Sequence, residues 1–398
     1  MKRYDAIVVG AGPAGSTAAR TLAREGASVL MLDRARFPRD KPCGGGVTLR
    51  AASIQDIDLR PVIERTVTGA RFSLRLGPAF DRRFDKPLTY MTQRRRLDAF
   101  LAETAAESGA EFHDGEPVRE IEIASNGRRT VTVRTETDAY EASALIGADG
   151  ANGVAGRSLG VPVRREEAVA LEGNAAYGDG QEADWASLVG LDLGGLAGGY
   201  GWVFPKGEHL NVGVGAWKYA AFTLRPKLHD LCERFGFDSA SLTNLRGHHL
   251  PVRVPGSTVA RGPVALAGDA AGLVDPLSGE GIHMAFSSGR MAGRAALRYI
   301  AGDWDDLSPY QRAVERRLQP ELTMSRKLNE LFHFAPPPYL AMMRRSEKFW
   351  RFFCHLIRGE LTYLDFQRMI GPLRLAVDVF AAAARRRRLS RLALATAR

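Results

Sequence analysis

The fold is decided by residues Tyr4–Asp33, which read YDAIVVGAGPAGSTAARTLAREGASVLMLD. The short apolar run Ala6–Val9 is typical of a buried parallel strand. A helical composition follows over Pro13–Arg24, and a second apolar run, Val29–Leu32, ends at Asp33. This order predicts a strand, a helix and a second strand, with the glycine-rich turn GAGPAG between the first two elements.

The glycines and the terminal acid of this stretch have separate physical roles. Gly10 permits a tight turn from strand to helix, and Gly12 lets backbone N–H groups approach a pyrophosphate. Gly15 allows the helix to pack close to the strand, and the helix N-terminus favours anionic phosphates. Asp33 is placed to accept a hydrogen bond from a ribose 2′-OH, which argues against a 2′-phosphate there. The pattern predicts a dinucleotide site; the alternative is a glycine-rich turn that serves packing alone.

Length and composition are those of an ordinary globular protein with two or three domains. The chain has 398 residues, 45% hydrophobic and 25% charged, and no apolar run reaches the roughly 18 residues that span a bilayer. The first strand begins almost at the N-terminus, so no room for a secretory signal is expected. Cys43, Cys232 and Cys354 are widely spaced, which predicts a reducing, cytoplasmic setting without a disulfide framework or a metal site.

Positive charge is concentrated in the C-terminal region. The chain carries a net charge of +10, and residues 341–398 contain 13 Lys/Arg against 4 Asp/Glu. The last segment, Ala381–Arg398 (AAAARRRRLSRLALATAR), has a helical composition. We expect this basic tail to associate peripherally with an anionic membrane surface. A solvated basic helix is the alternative, and no nucleic-acid partner is expected because no recognised binding motif is present.

A loop with the sequence RARFPRDKPCGGGV, residues Arg34–Val47, follows the second predicted strand. Pro38, Pro42 and three consecutive glycines exclude regular structure in it. Such a loop can place backbone very close to a planar ligand. Cys43 is then either a packed small hydrophobic residue or an active-site thiol, and the sequence leaves both open.

Apolar spacing predicts the remaining strands and helices. Strands are expected at Thr66–Leu76, Leu88–Thr92, Val118–Ile123, Thr130–Thr135, Ala139–Ile146, Asp184–Leu191 and Leu210–Trp217, and helices at Gln93–Gly109 and Phe222–Phe235. From residue 263 a strand, a glycine-rich loop and a helix follow, and the rest is mostly helical.

Three glycine-rich segments, at residues 10–15, 147–150 and 268–281, each follow an apolar strand. This arrangement is typical of one large ligand that a doubly wound sheet holds at several points. The chain has no second GxGxxG, so a nicotinamide donor, if used, is expected to bind only transiently.

Several motifs occur together in the chain. They are GAGPAG with Asp33, PCGGG at residues 42–46, Arg94 with Leu97-Asp98, ADG at residues 148–150, AGDAAGLVDPLSGEGI at residues 267–282, and Tyr200-x-Trp202-x-Phe204-Pro205 with Gly213 and Gly215 after a seven-residue gap. With these motifs the chain resembles the geranylgeranyl reductase family, within the p-hydroxybenzoate-hydroxylase-like flavoproteins. The aromatic motif is the most discriminating, because flavin hydroxylases generally lack it and flavin halogenases carry a related one with Trp in place of Tyr200.

The resemblance implies FAD as the cofactor. It implies contacts with the cofactor at Gly10, Gly12, Ala14, Gly15, Asp33, Arg34, Gly44, Gly45, Arg94, Val118, Asp149, Asp269, Gly281 and Ile282. Gly44, Gly45, Gly281 and Ile282 are expected near the isoalloxazine. The electron donor is left open between NAD(P)H, ferredoxin and a reduced quinone. The family usually has Ser where this chain has Gly153, and we expect this departure to have little effect on FAD binding.

The aromatic motif can form either a core stripe or a substrate wall. Tyr200, Trp202 and Phe204 alternate, so on a strand they share one face. The spacing alone is typical of sheet core. The resemblance implies instead that these three residues and Pro205 line an apolar tunnel for a long isoprenoid, whose binding comes from buried area.

Reduction of an isolated alkene needs a hydride on one carbon and a proton on the other. Because no carbonyl is available to polarise, positioning and a nearby acid have to lower the barrier. Cys43 is the first candidate beside that site and Tyr200 is the alternative proton donor. His209 and His283 are expected to be structural.

Together with these features, the resemblance implies an FAD-dependent reductase that saturates double bonds of a polyprenyl chain on a lipid, quinone or pigment. The nearest alternative is a flavin-dependent monooxygenase or halogenase acting on an aromatic substrate. A non-enzymatic alternative is a flavin-binding protein of a membrane surface or of nucleic acid.

The expected fold is α/β: a doubly wound Rossmann-type FAD domain with an inserted antiparallel β-sheet substrate domain and a helical C-terminal part. The predicted boundaries are 1–65, 93–165 and 259–330 for the FAD domain, 66–92 and 166–258 for the substrate domain, and 331–398 for the helical region with its basic tail.

Overall fold

The computed structural model describes residues 1–124, 130–161 and 163–396, with the backbone alone described at residues 391–396. The strands, in chain order, are β1 Lys2–Val9, β2 Val29–Leu32, β3 Gly46–Thr48, β4 Arg65–Val67, β5 Gly69–Leu74, β6 Phe80–Arg83, β7 Thr89–Met91, β8 Glu111–His113, β9 Glu120–Ile123, β10 Val131–Arg134, β11 Ala139–Gly147, β12 Arg165–Ala176, β13 Leu188–Leu196, β14 Gly199–Pro205, β15 His209–Trp217, β16 Thr243–Arg253, β17 Ala260–Arg261 and β18 Val264–Leu266. The helices are α1 Pro13–Arg24, α2 Leu49–Ala52, α3 Arg94–Glu107, α4 Gln181–Trp185, α5 Leu224–Phe235, α6 Ile282–Ile300, α7 Ser308–Arg317, α8 Gln319–Phe334, α9 Pro336–Arg345, α10 Glu347–Arg358, α11 Tyr363–Met369 and α12 Arg374–Thr396. This order of elements confirms the predicted α/β class.

The first sheet is the Rossmann-type part of the fold. Strands β8, β2, β1, β11 and β18 lie side by side and run parallel. Strand β10 pairs antiparallel with β11, and β9 pairs antiparallel with β10. Ala6, Ile7 and Val8 of β1 have no exposed surface, as expected for a central strand covered on both faces. The strand, helix and strand predicted within Tyr4–Asp33 are therefore confirmed.

Helix α6 packs against helix α1 at very close range. A Cβ on Gly289 would lie 2.2 Å from the carbonyl oxygen of Ala14, and one on Gly293 would lie 3.0 Å from that of Ala18. The two glycines permit this contact because larger side chains would push the helices apart. The N-terminal half of α6 is thereby held beside the start of α1.

The second sheet has the strand order β16-β12-β15-β14-β13-β5-β6 and is antiparallel except between β13 and β5.

The strand predicted at Asp184–Leu191 is wrong at its start, because residues 181–185 form α4 and β13 begins at Leu188. Acidic residues in the first turn of α4 favour a helix start there. Trp185 is buried against the ring of Phe235, so this apolar residue packs from a helical turn.

A third, three-stranded sheet has the order β3-β7-β4. β3 begins at Gly46, inside the loop predicted to lack regular structure, because this part of the chain pairs with β7. β7 lies in the segment 66–92 that was assigned to the substrate domain, yet it pairs with β3 and β4. Val47 and Ile282 share one buried cluster. The sheet therefore anchors the loop Arg34–Val47, which we call the glycine-rich loop, beside the start of α6. The domain division stays a prediction.

The C-terminal helices pack onto the second sheet. Phe72 of β5 shares a buried cluster with Met343, Trp350 and Cys354 of α9 and α10. The indole Nε1 of Trp350 donates to the carbonyl oxygen of Arg83 at 2.8 Å. α12 lies along α8. Within the described part of the chain, no helix combines the length and the apolar character needed to cross a bilayer.

Candidate functional site

One continuous cavity of about 910 Å³ extends from the first sheet to the C-terminal helices. It begins at the carboxyl ends of β1, β2 and β11, where open α/β sheets bind ligands, and continues between the second sheet and helices α8 to α11. Its lining includes Gly10, Gly12, Ala14, Asp33, Arg34, Cys43, Gly44, Gly45, Arg94, Val118, Asp149, Tyr200, Trp202, Phe204, Asp269, Gly281 and Ile282. The structure thus brings most of the predicted site residues around one space.

Some predicted residues lie elsewhere. A Cβ on Gly15 would be 1.7 Å from the carbonyl oxygen of Gly10, so Gly15 serves close packing beneath the turn. Pro205 is buried outside the cavity lining, because neighbouring residues of a strand face opposite sides of the sheet. Its assignment as a substrate-lining residue is therefore corrected. His209 also lies outside the lining, whereas His283 forms part of it.

The turn between β1 and α1 has the shape of a phosphate site. Gly10 has a φ of +100°, and a Cβ there would lie 2.4 Å from the carbonyl oxygen of Ala148. Gly12 borders more open space, where the atoms nearest to an added Cβ are guanidinium nitrogens of Arg39 and Arg94, 3.6 and 3.8 Å away. The free N–H groups of the first turn of α1 and two cations converge here, which fits the pyrophosphate of a dinucleotide.

A buried carboxylate, Asp98, orients both of these cations. Arg94 donates from Nε and Nη2 to its two oxygens at 2.7 and 2.6 Å, and Nη1 of Arg39 lies 2.9 Å from Oδ2. Burial alone would lower the pKa of Arg94, but the charge of Asp98 raises that pKa above its ordinary value. Nothing in the sequence singles out Arg39, since it lies in an irregular loop among several other basic residues.

Asp33 ties the glycine turn to the end of β2. Its Oδ2 accepts the backbone N–H of Ala11 at 2.8 Å, and its Oδ1 accepts that of Ala35 at 2.9 Å. The carboxylate is buried and borders the cavity. Each oxygen keeps a second lone pair, so the predicted ribose contact remains chemically available.

An ion pair from two distant segments borders the middle of the cavity. Nζ of Lys41 donates to Oδ2 of Asp269 at 2.9 Å, and Nε2 of His248 lies 3.7 Å from the same oxygen. Burial alone would raise the pKa of Asp269, but Lys41 and His248 outweigh it and hold that pKa well below its ordinary range. Asp269 is therefore ionised and suited to accept hydrogen bonds from the hydroxyl groups of a ribityl chain.

Asp149 organises the turn after β11. Its Oδ2 accepts the backbone N–H groups of Val154 and Ala155 at 2.6 and 2.8 Å, whereas Oδ1 is buried without a hydrogen-bond partner in the described residues. A Cβ on Gly153 would lie 2.0 Å from the carboxyl carbon of Asp149. A serine at position 153 would therefore require Asp149 to move. The small effect expected of this departure on FAD binding stays a prediction.

A buried acid and a buried amine hold the glycine-rich loop. Glu172 accepts the backbone N–H of Cys43 at 2.6 Å, and Lys206 donates to the carbonyl oxygens of Gly44 and Thr92, the latter at 2.9 Å. Burial raises the pKa of Glu172 and lowers the pKa of Lys206 to about 8. Neither residue was predicted. The only signal for Lys206 is its position directly after the aromatic motif.

The aromatic motif forms a wall of the cavity. Ring centroids are 6.1 Å apart between Tyr200 and Trp202 and 6.2 Å apart between Trp202 and Phe204. A Cβ on Gly44 would lie 2.6 Å from the Phe204 ring, so the glycine-rich loop rests directly on this wall. Gly213 pairs with Trp202 across the sheet, and a Cβ on it would lie 2.2 Å from the indole. Glycine at position 213 of the motif therefore makes room for the indole.

The two predicted proton donors differ in availability. The hydroxyl of Tyr200 donates to the carbonyl oxygen of Ser278, and burial raises the pKa of Tyr200 well above its ordinary value. Its proton is therefore engaged and tightly held. Sγ of Cys43 accepts the N–H of Gly45 at 3.3 Å, which leaves the thiol hydrogen free to point into the cavity. Both catalytic assignments stay predictions.

The far half of the cavity is lined by apolar residues that the sequence did not single out. They come from β5 and β13 and from helices α8 to α11, and they include Phe72, Leu191, Phe332, Met343, Phe353 and Phe366. We call this half the apolar wing. Its members are far apart in the chain and have the spacing of ordinary core residues, so no local pattern marks them.

Comparison with known sequences agrees with the site. Residues 3–177 match the family described as FAD binding domain. A menaquinone reductase from Mycolicibacterium smegmatis is 35% identical over 82% of this chain and 86% of its own length. A geranylgeranyl diphosphate reductase from Rhodobacter capsulatus is 34% identical over 75% of this chain and 76% of its own length.

Comparison with solved structures gives the same fold. A geranylgeranyl bacteriochlorophyll reductase-like protein from Thermoplasma acidophilum has a TM-score of 0.72 and 27% identity, covering 84% of this chain and 88% of that one. A flavin-dependent brominase has a TM-score of 0.71 and 19% identity, covering 90% of this chain and 94% of that one. At that identity the second likeness shows the fold alone.

Proposed function

The chain belongs to the geranylgeranyl reductase family of FAD-dependent oxidoreductases, and from this premise we propose that it saturates double bonds of a polyprenyl chain carried on a lipid, quinone or pigment. The predicted cofactor, FAD, and the class of enzyme, an FAD-dependent oxidoreductase, are both confirmed. The relatives are named for menaquinone and for geranylgeranyl diphosphate, and both names support an isoprenoid substrate.

One observation carries the proposal: the apolar wing and the half of the cavity that is lined by Gly10, Gly12 and Asp33 form a single space. Phe204 and Trp202 stand against Gly44 of the glycine-rich loop, between the two halves. An aliphatic chain gains about 25 cal/mol for each Å² of apolar surface that it buries, so a long apolar wing suits an isoprenoid. A small aromatic substrate, as in the monooxygenase or halogenase alternative, would leave much of the wing unfilled.

The cofactor, when bound and reduced, supplies the hydride, and the chain positions the alkene. Lys206 and Glu172 fix the backbone of Cys43 and Gly44, so this side of the site is rigid. The wing excludes water from the alkene. The first turn of α6, at Ile282, offers free N–H groups and a positive dipole end, which favour negative charge on a reduced ring.

Anaerobic reoxidation tests this function. The purified yellow protein is reduced with dithionite, and a geranylgeranylated lipid, menaquinone or a geranylgeranylated pigment is then added. We expect the absorbance of oxidised FAD to return as the substrate is consumed, and the product to gain the mass of the added hydrogens. If the protein stays reduced with every polyprenyl compound, but reoxidises in air while hydroxylating or halogenating an aromatic product, the proposal fails.

We also propose that the protein associates peripherally with an anionic membrane through its C-terminal surface. Five apolar side chains, from the end of α11 through the connecting turn into the start of α12, are between 61% and 67% exposed: Met369, Leu373, Leu375, Val379 and Phe380. We call them the exposed apolar patch. Arg368 and Arg374 lie in the same stretch, and anionic lipids attract such cations by about 1 kcal/mol each. Tyr363 and Phe366 of α11 line the cavity, so one segment reaches from the cavity to the patch.

The arginines of the tail are less available than the sequence suggests. Arg385 lies 2.9 Å from a carboxylate oxygen of Glu166, and Arg388 lies 2.7 Å from one of Glu330. Residues 397–398 and the side chains of residues 391–396 lie outside the described part of the chain. The exposed apolar patch therefore supports membrane association better than the arginine run does.

Replacing Val379 and Phe380 together by serine should prevent flotation of the protein with anionic liposomes. Each fully buried apolar side chain contributes about 1.5–3 kcal/mol, so membrane partitioning should weaken by about 10²-fold or more. FAD content should stay unchanged. Leu245→Ser, which changes an exposed apolar residue of β16, is the matched control. Equal flotation of the wild type and the double variant would exclude the patch as a membrane contact.

A further inference from the structure

Glu280 is a cavity residue that the assignments above leave without a role. It lies between Gly279 and Gly281 in the loop that leads into α6, and it lines the cavity. Thr48 donates from Oγ1 to its Oε1 at 2.7 Å. Within the described residues this is the one hydrogen bond of the Glu280 carboxyl group, so Oε2 is left for another partner. The contact joins the end of β3 to the start of α6.

The other polar groups around this part of the cavity are either held in hydrogen bonds or poor proton donors. The hydroxyl of Tyr200 donates to Ser278. Oδ1 of Asp275 accepts the N–H groups of Leu277 and Ser278 at 3.0 and 2.8 Å, and thereby shapes the loop. Burial, with a contribution from Arg50, lowers the pKa of His283 to about 3. His283 is therefore a neutral imidazole at neutral pH and a poor acid.

The surroundings of Glu280 favour a carboxyl group that still carries its proton near neutrality. Burial and the nearby Asp275 raise the pKa of Glu280 to about 7, against the Thr48 hydrogen bond and Arg50, which lower it. The titratable or charged groups that face it are Arg50 of α2, Asp275 of the same loop, His283 of α6, Tyr363 of α11 and Tyr200 of β14. Among these, Arg50 is the one cation at neutral pH. A general acid works best with a pKa close to the working pH.

We propose that Glu280 is the general acid that protonates the alkene, an inference that rests on the proposed polyprenyl reduction. The alkene π bond breaks as one carbon takes the hydride from the reduced cofactor. The other carbon takes the proton from the Glu280 carboxyl group, so two new C–H bonds form. The cofactor loses two electrons, the alkene gains them, and the Glu280 carboxylate recovers its proton from water.

Single-turnover reoxidation at a series of pH values tests this role, with Glu280→Gln, Glu280→Asp and Thr48→Val beside the wild type. We expect the wild-type rate to fall as pH rises through about 7, because the ionised carboxylate cannot donate. Glu280→Gln should keep FAD but lose about 10²-fold or more of the rate at neutral pH, and Glu280→Asp should recover part of it. Thr48→Val should move the fall to higher pH, because the lost hydrogen bond stabilised the ionised form. Thr48 also accepts the N–H of Ala51 at the start of α2, so Thr48→Ser is its control.

Infrared difference spectra of the holoenzyme without substrate give a readout independent of turnover. The C=O band of a protonated carboxyl group should disappear as pH rises through about 7, and this change should be missing in Glu280→Gln. An unchanged rate and pH profile in Glu280→Gln, with an active wild type, would overturn this proposal alone. A wild type that reduces no polyprenyl compound would overturn the proposed function, and the role of Glu280 with it.

Discussion

Replacing Asp98 with alanine should cost the protein its FAD. Asp98 has no exposed surface and holds Arg94 and Arg39 toward the glycine turn. Removing it leaves two buried or half-buried cations without their shared partner, which costs about 3–5 kcal/mol in a buried pair. The two guanidinium groups would also lose their aim at the pyrophosphate. Each hydrogen bond between a guanidinium group and the pyrophosphate contributes about 1.5–3 kcal/mol. Because both groups are displaced, FAD affinity should fall by about 10²-fold or more.

A matched control exists on the surface. Asp56 also joins arginines: it is hydrogen-bonded to Arg20 and Arg24 and lies 4.0 Å from Arg290, but it is 46% exposed. Asp56→Ala should change the free energy of unfolding by about 1 kcal/mol or less and leave FAD content intact. The measurements are FAD absorbance per protein after gel filtration and thermal unfolding with and without added FAD. Full FAD retention by Asp98→Ala would contradict the assignment of this cluster to the pyrophosphate.

Gly45→Ala should displace the glycine-rich loop and stop alkene reduction. Gly45 has a φ of +69°, and a Cβ on it would lie 2.0 Å from the carbonyl oxygen of Thr92 and 2.2 Å from Nζ of Lys206. A side chain at position 45 would be strained by the positive φ and would clash with the carbonyl oxygen of Thr92. We therefore expect the free energy of unfolding to fall by about 1–3 kcal/mol. A displacement of the loop by about 1 Å should lower the single-turnover rate by about 10²-fold.

The neighbouring glycine supplies the control for this change. The nearest atom to a Cβ on Gly46 would be Oγ1 of Thr89 at 3.7 Å, which is an ordinary contact. Gly46→Ala should therefore keep stability within about 0.5 kcal/mol and keep the reoxidation rate. A Gly45→Ala protein that reduces a polyprenyl substrate at the wild-type rate would show that the loop position does not govern the reaction.

Features encoded by short-range patterns were predictable from the sequence. The first strand, helix and strand follow from apolar runs and glycine spacing, and Gly15 packs as its position in the turn requires. The alternation of Tyr200, Trp202 and Phe204 correctly predicted that they share one face. The same alternation excludes Pro205 from that face, so the error there came from following the family motif instead of the strand geometry.

The rest of the site depends on contacts between distant segments. Asp98 joins α3 to Arg39 of the glycine-rich loop, and Glu172 of β12 reaches the backbone of Cys43. No local periodicity encodes such pairs, because the partners become neighbours only after the sheets have formed. The same reason hides the apolar wing, whose members lie on two strands and four helices. The ion pair between Arg388 of α12 and Glu330 of α8 likewise joins segments that are far apart in the chain.

The parallel contact between β5 and β13 has a consequence for how the chain folds. These strands pair Gly69 with Leu188 and continue to Leu74 with Leu193, while strands β8 to β11 of the first sheet lie between them in the sequence. During synthesis the edge of β5 that later pairs with β13 therefore remains unpaired until β13 has been made. Non-local pairing of this kind is slow, and open strand edges attract other chains. We expect nascent or refolding protein to be most prone to aggregation before β13 is added to the hairpin.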